Sequence, residues 1–184
     1  MPRPSRSEYG PHWTLSPDVT FLNHGSFGAC PQVVLDEQSR LRALLESDPM
    51  AFYFEIGPAL WRESRAALAG FLNADVAGLN FVPNASTGVN TVLRSLRFEP
   101  GDEILVLDHA YQACRNAVEQ ACVRSGARTV VVKLPFPPES DEQVVTLVLA
   151  AVTTRTRPAL IDTVTSPTAV LLPFERLTRA LQER

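Results

Sequence analysis

Lysine is almost missing from this chain of 184 residues: 17 residues are Lys or Arg, and Lys133 is the only lysine. Chemistry that needs an amine from this segment has one candidate. Cysteine is scarce as well. Cys30, Cys114 and Cys122 are odd in number and have no C-x-x-C spacing, which argues against a disulfide framework or a zinc or redox motif and reads as buried thiols in a reducing compartment. His12, His24 and His109 have neither ligand spacing nor an i, i+4 pair, so no metal is expected. There is no basic excess: 17 Lys+Arg against 20 Asp+Glu leave a formal charge of -3, too little positive charge for a nucleic-acid partner. The longest apolar run, Val144 to Val152, is broken by Thr146 and falls far short of the roughly 20 residues that span a bilayer. Arg3 and Arg6 are followed by Glu8 where a signal peptide needs an apolar stretch, so the expected location is cytoplasmic, away from membranes. With 9 Gly and 15 Pro the chain is neither collagenous nor of low complexity. No G-x-G-x-x-G, G-x-x-x-x-G-K-[ST] or G-x-S-x-G occurs, which leaves both nucleotide fingerprints and the nucleophile elbow unsupported.

What is present is the patterning of a globular α/β protein, with 45% hydrophobic and 20% charged residues. After a lead rich in Pro and Ser, the stretch Asn23-His24-Gly25-Ser26-Phe27-Gly28 reads either as a loop whose polar side chains close over a site or as a turn in which Gly supplies positive φ. Pro31 opens a helix carrying Val34, Leu41, Leu44 and Leu45, which Asp48-Pro49 ends; a second helix follows Gly57-Pro58. From Leu79 onward short apolar runs alternate with helices. The runs are Leu79 to Val82, Ile104 to Leu107, Thr129 to Val132 and Ala159 to Ile161, composed as strands buried on both faces should be. Val89, Val92, Leu93 and Leu96 form one helical stripe, and Cys114, Val118, Ala121 and Cys122 form another. This alternation predicts a mostly parallel sheet with helices on both faces.

In such sheets ligands gather at the carboxyl ends of the strands. Pro83-Asn84-Ala85-Ser86-Thr87-Gly88 leads into a helix, where free amides and hydroxyls suit a phosphate. An ordinary N-cap by Ser86 or Thr87 explains the same residues. Asp108-His109-Ala110-Tyr111 puts an imidazole and a phenol at the same edge, either for a flat ring to stack on or as a plain helix start. Asp162-Thr163-Val164-Thr165-Ser166-Pro167-Thr168 is a cluster of hydroxyls, or a hydroxyl-rich turn.

In their order along the chain, five blocks resemble the class V aminotransferase family of pyridoxal-phosphate (PLP) enzymes of fold type I, and most of all its isopenicillin N epimerase-like branch. They are Phe21 to Gly28, Asn84 to Leu96, Pro100 to Glu103, Asp108 to Tyr111, and Thr165 to Thr168 followed by Pro173. The resemblance implies that Ala85 and Ser86, with Thr87, hold the cofactor phosphate. It implies that His109, with Tyr111 in reserve, stacks on the pyridine ring, that Ser166 lies near the phenolic oxygen, and that Asn23 and His24 belong to a substrate-side loop. Residues 1–30 would be the arm and that loop, 31–75 the N-terminal helices, and 76–184 the first part of the PLP-binding large domain, incomplete at its C-terminus.

Two departures stand out. Ala169 occupies a position where the branch usually has Gly. The family's acidic partner for the pyridinium nitrogen and the lysine that binds the cofactor covalently would both fall beyond Arg184, and Lys133 reads as a strand-end residue, not a replacement. The expectation is therefore the N-terminal part of a dimeric enzyme acting on an amino acid, with lyase, desulfurase or epimerase chemistry. A truncated, non-catalytic paralogue that binds a phosphate or a partner subunit is the alternative, and a nucleotide-binding domain using the same cradle is a third.

Overall fold

The computed structural model describes residues 7–184, which divide into two compact units, one running up to Phe81 and the other spanning Val82–Arg184. In the first unit, helix α1 (Gln32–Ser47) starts directly after Pro31. Asp48 then caps α2 (Pro49–Ala51) by accepting a hydrogen bond from the Ala51 N–H at 3.0 Å. The second long helix therefore starts at Pro49, ahead of its expected position after Gly57-Pro58. A π-helical turn at Phe52–Ile56 joins α2 to α3 (Gly57–Leu72). Pro58 has no N–H to donate, and the wider turn accommodates it, with the Gly57 N–H reaching back to the Phe52 carbonyl. Asn73 ends α3 in the left-handed region at φ 51°.

The second unit is built on a three-stranded parallel sheet, β1 (Glu103–Leu107), β2 (Arg128–Val132) and β3 (Thr156–Leu160), in the order β2-β1-β3. All of β1 is buried, and its alternation sorts the two cores. Ile104 and Val106 pack with Leu93 of α4 (Ala85–Ser95) and with Ala117, Val118, Ala121 and Cys122 of α5 (Gln112–Ser125). Leu105 and Leu107 pack with Val144, Val145 and Val148 of α6 (Asp141–Ala150) and Leu177 of α7 (Phe174–Gln182). Helices thus cover both faces, as the patterning predicts.

Two details of the ladder follow from single residues. On the β3 side the register slips between Glu103 and Leu105, because Pro158 cannot donate to the ladder and sits at the irregularity. Gly126 closes α5 at φ 76°, a conformation that favours Gly, and brings its chain against Pro100.

The run Leu79 to Val82 is not a strand. It pairs with nothing among the described residues, and the Asn80 side chain accepts the Phe81 N–H at 3.0 Å, occupying a donor that a ladder would need. Apolar composition suits a strand, but only a neighbouring ladder creates one. Lys133 lies exposed just after β2, at the strand end. Among the described residues no helix is long and apolar enough to cross a membrane. All three cysteines are free, but only Cys114 and Cys122 are buried; Cys30, expected inside, is exposed.

Candidate functional site

A parallel sheet delivers all its strand ends to one edge, and here that edge is tied together by polar side chains. Asp108 follows β1: its N–H donates to the Val132 carbonyl and its Oδ1 accepts from the Leu134 N–H, both at 3.0 Å, which fastens the β1 exit to the β2 exit. Asp162 follows β3, and its Oδ2 accepts from the Tyr111 N–H at 3.1 Å, fastening the β3 exit to the start of α5. Negative charge at a helix start is favourable. Burial first, and the Asp162 charge second, raise the pKa of the Cys114 thiol one turn into α5.

His109 is held at this edge with its side chain only 12% exposed. Its Nδ1 lies 3.0 Å from Thr168 Oγ1, its Nε2 lies 3.8 Å from Asp108 Oδ1, and its ring meets the Phe136 ring edge-on at 6.1 Å. Tyr111 is half exposed and stands at the N-cap of α5.

Thr168 belongs to a tight hairpin after β3. Val164 bridges Leu171 in antiparallel fashion, the Thr165 N–H donates to the Val170 carbonyl at 3.0 Å, and the Ala169 N–H donates to the Thr165 carbonyl at 2.9 Å. Ser166 is exposed at the tip, while Thr165 is fully buried beneath it. Ala169 takes φ 52°, in the left-handed region. The position at which the resembled branch carries Gly is thus one where the backbone favours Gly.

At the start of α4, the N-cap is neither Ser86 nor Thr87 but Asn84. Its Oδ1 accepts from the Thr87 N–H at 2.9 Å and from the Thr87 hydroxyl at 3.1 Å. Asn90 Nδ2 donates to the Ser86 carbonyl at 2.9 Å and leaves the Ser86 side chain alone. Among the described residues, the Ala85 and Ser86 N–H groups and the Ser86 hydroxyl have no hydrogen-bond partner. Three donors at a helix N-terminus are therefore free for an anion. Space does not require Gly88 in this turn, since a Cβ there would meet Val82 Cγ2 at 3.5 Å, an ordinary contact.

Asn23 and His24 belong to the first unit. The Asn23 carbonyl accepts the Phe27 N–H at 2.9 Å, and the His24 ring lies edge-on to Phe21 at 4.7 Å and tilted against Trp13 at 6.0 Å. Positive φ is not what this loop asks of its glycines: neither Gly25 nor Gly28 adopts it. Gly28 is needed for a close approach, because a Cβ there would lie 2.9 Å from the His24 carbonyl oxygen.

Asn84, Asp162 and Thr168 act here as partners that the sequence pattern does not single out. Asn is a favoured N-cap, so Asn84 was open to recognition. Nothing in the sequence pairs Thr168 with His109, 59 positions apart. No group of three or more His, Cys, Asp or Glu that could hold a metal occurs among the described residues.

Comparison with known proteins agrees with this architecture. The profile of the family described as aminotransferase class-V matches residues 39–184, and the chain belongs to that family. It is 38% identical over 180 residues to a protein of Oryza sativa subsp. japonica provisionally named an L-cysteine desulfhydrase, covering 90% of this chain and 37% of that one. It is 32% identical over 170 residues to the isopenicillin N epimerase of Streptomyces clavuligerus, covering 92% and 43%. Among solved structures, the cystine C-S lyase C-DES in complex with its product cysteine persulfide superposes with a TM-score of 0.79 at 21% identity, over 91% of this chain and 44% of that one. The last likeness is one of fold. The chain spans about two fifths of the length of these relatives.

Proposed function

We propose that this member of the class V aminotransferase family is the N-terminal part of a PLP-dependent enzyme that acts on an amino acid by lyase, desulfurase or epimerase chemistry. The observation that carries the reading is the set of unpartnered donors at the start of α4: the Ala85 and Ser86 N–H groups and the Ser86 hydroxyl. They suit a phosphate dianion, and the capping work that would otherwise occupy them is done by Asn84. When bound, the cofactor supplies an electron sink for negative charge developing on the substrate.

In this reading the α4 terminus binds the phosphate, with Thr87 at its margin. His109 orients the ring from the β1 exit, with Tyr111 as the reserve, and Ser166 at the hairpin tip serves the phenolic oxygen. Asn23 and His24 serve the substrate side. Residues 76–184 begin the cofactor domain, and 1–30 and 31–75 are the arm and the helices that precede it, residues 1–6 of the arm lying outside the described residues. Exposed apolar side chains such as Phe71, 86% accessible, and Val123, 79% accessible, support a homodimer. Three free thiols support a reducing, cytoplasmic compartment. Desulfhydrase and epimerase relatives support an amino acid as substrate.

The test is a titration of the purified full-length protein with PLP, followed by absorbance. Saturable binding with a shifted cofactor band is expected, and His109→Ala should alter the band or release cofactor more than Tyr111→Phe does. Protein that arrives without cofactor and does not respond to added PLP overturns the reading. The reverse order of the two variants moves the stacking role to Tyr111.

A further inference from the structure

We infer that the hairpin after β3 is a positioning device for His109: through Thr165 and Thr168 it selects the ring's tautomer and holds its plane. The inference rests on the reading of His109 as a cofactor-ring residue, and it adds a residue, Thr168, that acts through another.

A chain of hydrogen bonds gives the protons at this edge a direction. The Val170 N–H donates to Thr165 Oγ1 at 2.8 Å. Thr165 Oγ1 then has two places for its own proton, the Thr168 hydroxyl oxygen at 2.8 Å or the Val170 carbonyl at 3.4 Å, and the shorter contact is the better bond. A Thr168 hydroxyl that accepts from Thr165 keeps its own proton, and His109 Nδ1, 3.0 Å away, is the acceptor within its reach among the described residues. An accepting Nδ1 leaves the ring proton of the neutral imidazole on Nε2. That nitrogen faces Asp108 Oδ1 at 3.8 Å, a carboxylate already held in place by the Leu134 N–H. Both ends of the ring thus favour the same tautomer.

The burial fits a device rather than a surface coincidence. Thr165 is 1% exposed, so its hydroxyl has no water to turn to, and a reversed chain would leave it the long contact to Val170. The Thr168 bond at Nδ1, Asp108 opposite Nε2 and the edge of Phe136 constrain the ring from three directions. The tight turn at Ala169 sets the spacing from Thr165 to Thr168. A ring that stacks on another ring does so only in one plane, and rotation about χ2 would lose the contact.

The experiment uses the full-length protein labelled with 15N-histidine, first without cofactor. Long-range 1H–15N correlation distinguishes the two neutral tautomers, and the His109 signals are assigned by their loss in His109→Ala. The wild type should carry its proton on Nε2. Thr168→Val, which keeps the volume and removes the hydroxyl, should give a mixture of tautomers, and Thr168→Ser should restore the wild-type pattern. PLP affinity is read in parallel: Thr168→Val should raise the dissociation constant roughly three- to tenfold, the worth of one neutral hydrogen bond, with Thr168→Ser near wild type. An Nδ1–H tautomer in the wild type, or a Thr168→Val spectrum identical to it, overturns the inference. If Thr168→Val fails to fold, Thr168→Ala gives the same readout. The expected tautomer in a protein that never binds PLP refutes the cofactor reading alone, whereas normal PLP binding with both readouts unmoved by Thr168→Val refutes the positioning role alone.

Discussion

The Tyr111 backbone N–H donates to the Asp162 carboxylate at 3.1 Å across 51 residues of sequence, so the exit of β3 holds the start of the helix that follows β1. A donor on an N-cap residue has no partner within its helix, and Asp162 supplies one from outside. Asp162→Ala should cost about 1 kcal/mol of stability in urea unfolding, and Asp162→Asn less, because an amide oxygen still accepts. The Cys114 thiol gives a second readout. Burial and, after it, the Asp162 charge raise its pKa. Removing the charge in Asp162→Asn should lower that pKa and speed alkylation of Cys114 at mildly alkaline pH, with exposed Cys30 as the internal standard. An unchanged ratio of the two rates would show that the charge does not reach the thiol.

Ala169 holds φ 52° with a Cβ that this conformation disfavours. The left-handed region costs a residue with a Cβ about 1–2 kcal/mol, and Gly surrenders about 0.5–1 kcal/mol of that in extra chain entropy. Ala169→Gly should therefore stabilise the protein by roughly 0.5–1 kcal/mol, read as a higher midpoint of thermal or urea unfolding. Ala169→Val should destabilise it. A neutral or destabilising glycine would mean that the turn does not hold this conformation in solution.

Asn84 and Ser86 separate capping from binding. Asn84→Ala removes the acceptor for the Thr87 N–H and should cost about 1 kcal/mol of stability, the usual price of a lost N-cap. The Ser86 hydroxyl has no partner among the described residues, so Ser86→Ala should leave stability within about 0.5 kcal/mol of wild type. It should nonetheless weaken PLP binding by about 1–3 kcal/mol, the cost of a missing bond to a charged group. Unfolding curves and PLP titrations of both variants check this. Loss of stability in Ser86→Ala with unchanged affinity would reverse the assignment.

Glu103 starts β1 at the opposite end of the sheet and is buried. Its Oε2 accepts from the Thr153 hydroxyl at 2.6 Å and the Thr156 hydroxyl at 3.3 Å, and its Oε1 meets the Arg128 guanidinium. The Thr153 hydrogen bond first, then Arg128, hold the carboxyl below the ordinary glutamate range. A depressed folded-state pKa means that the unfolded chain takes up the proton first. The stabilisation is therefore complete above the ordinary value of about 4.3 and is lost as pH falls through the lower folded value. Glu103→Gln should lower stability at neutral pH and flatten its dependence on pH below about 5, in urea unfolding series compared with wild type. Parallel curves for the two proteins would rule out this contribution.

The sequence by itself determined the class of fold and the positions of the loops that follow β1 and β3. Runs such as Ile104 to Leu107 and stripes such as Cys114, Val118, Ala121 and Cys122 carry the periods of strand and helix, and burial on two faces leaves a parallel sheet as the arrangement that satisfies them. Local chemistry made the helix start at Ala85 and Ser86 legible, because such a start is encoded within a few residues. Tertiary structure decided what depends on partners. Leu79 to Val82 has strand composition and no ladder, since hydrogen-bonded pairing is supplied by a neighbour and not by the segment itself. Cys30 is exposed although its residue type favours the interior. The π turn before Gly57 and the left-handed Ala169 carry no such local signal. The bond from Thr168 to His109 joins residues that no spacing rule connects, and it exists because β1 and β3 are adjacent and parallel, so that their exits meet at one edge.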